Sequence, residues 1–204
     1  LTDNDANDIT LTVLSGDLLV DRISAGVLNG DLTIDIQAGG IQELTPEDTD
    51  EDLLADVANI MATGGIGSMN PLETSFNELV MQSTITGDID LNETNDIFLN
   101  QLTTEAGNIT FDSATGDVVV NLIQAGVARG NDLELNAFGG SLFESLADVD
   151  EDILARNVTL NIAGAIGEVG GGYLETFIDE LVASTTADGD LEIEETDDVV
   201  LKSV

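Results

Sequence analysis

GDIDLNETNDIFLNQLTTEAGNITFDSATGDVVV, residues 87–120, decides the fold. Ile89-Asp-Leu91 and Ile109-Thr-Phe111 alternate apolar with polar residues, the period-two pattern of a strand with one buried face. Gly87-Asp88 and Gly107-Asn108 introduce them as turn formers, and a second short apolar run follows each, Ile97-Phe-Leu99 and Val118-Val-Val120. The two alternating strands start 109 − 89 = 20 residues apart with another short strand between them. An antiparallel sandwich would join consecutive strands by tight hairpins; a 20-residue recurrence is the spacing of coils in a parallel solenoid.

The same alternation continues outward from this stretch. Ile9-Thr-Leu-Thr-Val13, Leu32-Thr-Ile-Asp-Ile36, Leu133-Glu-Leu135, Val158-Thr-Leu-Asn-Ile162 and Leu191-Glu-Ile193 all carry it. The expected architecture is therefore all-β, a parallel β-helix of about eight coils, with Ile, Leu and Val stacked inside and Asp, Thr, Asn and Glu outside. At about 4.8 Å per coil it forms a rod on the order of 40 Å long. Residues 72–80 (LETSFNELV) and 174–182 (LETFIDELV) place Leu, Phe or Ile, and Leu near helical spacing, so a short helix is the rival reading there.

A longer period overlies the coils. Ile23-Ser-Ala-Gly-Val27 returns as Ile123-Gln-Ala-Gly-Val127, and DEDLLA at 50–55 returns as DEDILA at 150–155, both at an offset of 100. Leu72-Glu-Thr74 returns as Leu174-Glu-Thr176 at an offset of 102. The chain accordingly reads as two tandem repeats, 1–102 and 103–204, in one continuous solenoid.

Composition sets the chemistry. Forty-one acidic residues face four basic ones, a net charge of −37, which makes nucleic acid and anionic membranes unfavourable partners and cations favourable ones. Only 22% of residues are charged and 42% are hydrophobic, so the acids are interleaved with a core rather than replacing it. The lack of Cys excludes disulfides and thiolate chemistry; the lack of His removes the usual general base and the commonest metal ligand. Mutual repulsion among the acids is best screened in a saline or calcium-rich exterior, so an extracellular setting is expected.

The residues Gly65-Ile-Gly67, Pro71-Leu-Glu-Thr74, Glu78-Leu-Val80 and Gly87-Asp-Ile-Asp-Leu-Asn-Glu93 resemble the repeat of filamentous-haemagglutinin-like large exoproteins. Ile166-Gly167, Leu174-Glu-Thr176, Glu180-Leu-Val182 and Gly189-Asp-Leu-Glu-Ile-Glu-Glu195 resemble it too. The resemblance implies a right-handed parallel β-helical shaft on a bacterial cell surface, acting in adhesion, biofilm or extracellular fibres. Further copies of the repeat, stacked end to end or in a longer chain, are the implied partners, with host or matrix glycans a further possibility.

Two loops carry candidate ligands. DTDED at 48–52 and DVDED at 148–152 set carboxylates at alternate positions, Asp48, Asp50 and Asp52 in one and Asp148, Asp150 and Asp152 in the other, as in the first half of a Ca²⁺ loop. Leu53 and Ile153 stand where an EF-hand needs Gly, and no bidentate Glu follows at position 12, so a solvated acidic loop is the competing reading. The glycine pairs at 39–40, 64–65 and 139–140 lack the following helix and the Lys or Arg of a phosphate cradle and read as tight corners. No pair of carboxylates stands out as an acid and a base, and no basic residue recurs, so catalysis is not expected. The function expected is a structural shaft or filament segment, with a calcium- or glycan-binding module as the alternative.

Overall fold

The structure, a computed structural model, describes residues 7–44, 50–83, 85–145, 150–167, 172–187 and 189–204. Among these every regular element is a strand, every strand pairing is parallel, and no helix occurs. The chain is a β-solenoid.

Its core is a set of residue columns running along the axis. One joins Leu11, Ile34, Ile60, Met81, Leu102, Ile123, Ile153, Thr176 and Glu195, each opposite the next in the adjacent coil. A second joins Leu18, Ile41, Ile66, Ile89, Ile109, Leu133, Val158, Leu181 and Leu201. Nine stacked rungs span eight turns. A third column runs Ile23, Leu53, Thr74, Glu93, Ser113, Ala137, Ile162 and Thr185, so its middle is polar.

The inward positions follow period two until the chain rounds a corner, where the spacing lengthens to three. In the strand Leu53–Ala62 the buried residues are Leu53 and Ala55, then Ala58, Ile60 and Ala62. In Leu72–Ser83 they are Leu72, Thr74 and Phe76, then Leu79, Met81 and Ser83. Asn77 occupies that second corner and donates to the Val27 carbonyl and to Asp56 Oδ1, both at 2.8 Å. This phase step is what imitates helical spacing at 72–80: Leu72, Phe76 and Leu79 fall four and three apart although the backbone is extended. The same step separates Ile178 from Leu181, and the segment expected as a possible second helix is instead the strands Leu174–Phe177 and Glu180–Thr185.

The turns are fastened from coil to coil by the acids of the Gly-Asp and Asn-Asp motifs. Asp17 Oδ1 accepts from Gly40 N at 2.8 Å, Asp88 Oδ1 from Asn108 N at 2.7 Å, Asp96 Oδ1 from Asp117 N at 2.8 Å and Asp117 Oδ1 from Ser141 N at 2.9 Å. Each supplies an acceptor to a turn amide that no strand would pair. On the outer face Asn161 Nδ2 donates to Asn136 Oδ1, and Asn136 Nδ2 to Asp112 Oδ1, each at 2.7 Å. At Gly140 a Cβ would collide with the Gly116 carbonyl of the coil before, so this half of the glycine pair permits close coil-to-coil approach.

Candidate metal centre

Each acidic segment follows a short strand and is followed by a buried Asp that opens the next one. The strand Ile41–Glu43 ends on Glu43, which faces inward and is 7% exposed; Asp52 is likewise buried, and the chain continues from it into Leu53–Ala62. Asp52 is fixed between two coils: Ile23 N donates to its carbonyl at 2.7 Å, and its own N donates to the Glu73 carbonyl at 2.8 Å. Its Oδ2 also accepts from Glu73 N at 3.2 Å. With the main chain so held, the side chain projects into the coil stack beside Glu43 and Glu73. Carboxylate oxygens of these three residues lie within 4.8 Å of one another.

The second loop repeats the arrangement. Ile123 N donates to the Asp152 carbonyl at 2.7 Å, Asp152 N to the Glu175 carbonyl at 2.9 Å, and Glu175 N to Asp152 Oδ2 at 3.1 Å. Glu144, Asp152 and Glu175 form the second triad within the same 4.8 Å. Asp152 is 4% and Glu175 8% exposed, and Glu175 Oε2 is buried with no hydrogen-bond partner. A cleft of about 220 Å³ lined by Asn121, Leu122, Ser145, Asp150, Glu151 and Asp152 adjoins this triad.

Burial and neighbouring carboxylates raise the pKa of Asp52, Asp152 and Glu175. Desolvation pushes Asp52 up to about 7, with the nearby Glu73 and Glu43 carboxylates adding to it and the hydrogen bond from the Glu73 backbone opposing it. Asp152 rises to about 8, again first through desolvation and then through Glu144 and Glu175. Burial and the charge of Glu144 raise Glu175 as well. Another buried acid, Glu93, is fully enclosed and is pushed up to about 7 by desolvation. It is well supplied with donors: the Thr74 hydroxyl at 2.8 Å, Thr94 N at 3.0 Å and Phe76 N at 3.2 Å. Glu195 takes the corresponding place, accepting from the Thr176 hydroxyl at 2.6 Å and Ile178 N at 3.2 Å. These two are corner fastenings.

Of the six loop aspartates singled out in the sequence, Asp48 and Asp148 lie outside the described residues. Asp50 and Asp150 are exposed, and neither belongs to a triad. Of the four described, only Asp52 and Asp152 turn inward; each meets the Glu that ends the strand before it, Glu43 or Glu144, and a Glu of the neighbouring coil, Glu73 or Glu175. The missed glutamates had one legible signal: Glu73 and Glu175 are the middle residues of the recurring Leu-Glu-Thr. Three carboxylates converging without nitrogen or sulfur donors form an oxygen-only set, suited chemically to a hard divalent cation such as Ca²⁺. No protein-family model, curated protein or solved structure matches the chain.

Proposed function

We propose that the chain is a structural shaft, a segment of a secreted or cell-surface exoprotein that carries length rather than chemistry. The observation behind this reading is the uninterrupted ladder: nine residues from Leu11 to Glu195 stacked one per coil, with every strand pairing parallel. A coil in such a ladder bonds both neighbours through its main chain, so force along the axis is shared by all columns and further coils extend the rod without redesign. An acidic, Cys-free exterior keeps such rods apart in an oxidising, saline medium. Adhesion, biofilm or fibre formation is the setting in which a spacer of this kind serves.

In-frame removal of residues 9–203 from the full gene product tests this. Eight turns of about 4.8 Å predict a surface fibre shortened by roughly 38 Å in electron micrographs, with attachment by the remaining protein retained. Loss of attachment at unchanged fibre length would overturn the reading in favour of a binding module.

A further inference from the structure

The Glu144 triad holds a buried carboxylate oxygen that no hydrogen-bond donor serves. All four basic residues of the chain have ion-pair partners elsewhere: Arg22 with Glu51, Arg129 with Asp179 and Asp197, Arg156 with Asp132, and Lys202 with Glu180. Glu175 is more than nine-tenths buried, and its Oε2 accepts no hydrogen bond in a structure where even the enclosed Glu93 is served by a hydroxyl and several amides. A buried carboxylate oxygen with no donor requires either a proton or a metal ion.

The surroundings favour the ion. Asp152 is held by main-chain bonds to the coils on both sides, and its Oδ2 accepts from Glu175 N at 3.1 Å, which keeps the carboxylate turned towards the triad. The adjoining cleft, lined by Asp150, Glu151 and Asp152 among others, gives an acidic route inward from solvent. We propose that Glu144, Asp152 and Glu175 bind a hard divalent cation of the Ca²⁺ class, clamping the strand that ends at Glu144 and the residue Asp152 onto the coil that carries Glu175. The ion ties three points of the chain, at 144, 152 and 175, into one.

The proposal stands independently of the shaft reading, and Ca²⁺ itself is the probe. In metal-stripped buffer at fixed ionic strength, calorimetric titration and thermal melting are compared for the wild type, Glu175→Gln and the exposed control Asp198→Asn. Ca²⁺ is expected to raise the wild-type melting temperature more than NaCl of equal ionic strength. Glu175→Gln keeps the side chain's shape and removes a repulsive charge, so it is expected to melt higher than wild type without metal and to bind one Ca²⁺ fewer per chain. Asp198→Asn is expected to bind as wild type does. Far-UV circular dichroism verifies that each variant retains its strands, and Glu144→Gln serves in place of any Glu175 variant that does not. Equal Ca²⁺ stoichiometry in wild type and Glu175→Gln, or a wild-type rise fully matched by NaCl, would overturn the proposal.

Discussion

Glu93 illustrates how a single acid is used in this molecule. It occupies an inward position between Thr74 and Ser113, where an aliphatic residue would continue the column, and instead caps the amides of a corner. Its ordinary value of 4.5 is raised to about 7, so the folded state holds a proton that the unfolded chain releases. Stability therefore falls as pH rises through this window and levels off above about 7. Denaturant titration in chelator at a series of pH values should show a shallower fall for Glu93→Gln than for wild type. A second prediction concerns main-chain approach: Gly140→Ala pushes a methyl into the Gly116 carbonyl and should lower stability by at least about 1 kcal/mol. Gly130→Ala, whose Cβ would meet only the Val127 carbonyl at 3.3 Å, should cost less in the same chemical-denaturation assay.

The strands were legible because period two survives wherever the chain is straight. Ile9–Val13, Leu32–Ile36 and Ile109–Ser113 all begin where the alternation begins. What obscured Leu72–Ser83 was the corner, where two outward residues in succession shift the inward series by one place and turn a strand pattern into a helical one. The turn acids read correctly as turn formers, while their second role, accepting an amide of the next coil, has no signature in a linear pattern because the partner lies some 20 to 24 residues away. The triads were hidden for a related reason: Asp152 was visible as one of three alternating acids, whereas Glu144 stands on the strand before it and Glu175 reaches it only after a full coil. Column packing itself is tested by Leu102→Ala. Leu102 is fully enclosed between Met81 and Ile123, and truncation should cost about 2–5 kcal/mol; Met61→Ala, at a site 48% exposed, should cost far less in equilibrium denaturation.

At the scale of the whole molecule, charge and ladder oppose each other. Forty-one acids on a narrow rod repel along its length, and several of those fixed on turns cannot move apart without giving up their coil-to-coil bonds. Raising NaCl from low to physiological concentration should therefore increase the melting temperature measured by circular dichroism, and a melting temperature that stayed flat or fell would show that repulsion is already relieved within the fold. The two triads also do not lie one above the other. Asp52 precedes Leu53, in the column of Ile23 and Thr74, whereas Asp152 precedes Ile153, in the column of Leu11 and Leu102. Seen down the axis they are staggered like successive leaves on a stem, so the two triads lie beneath different flanks of the rod.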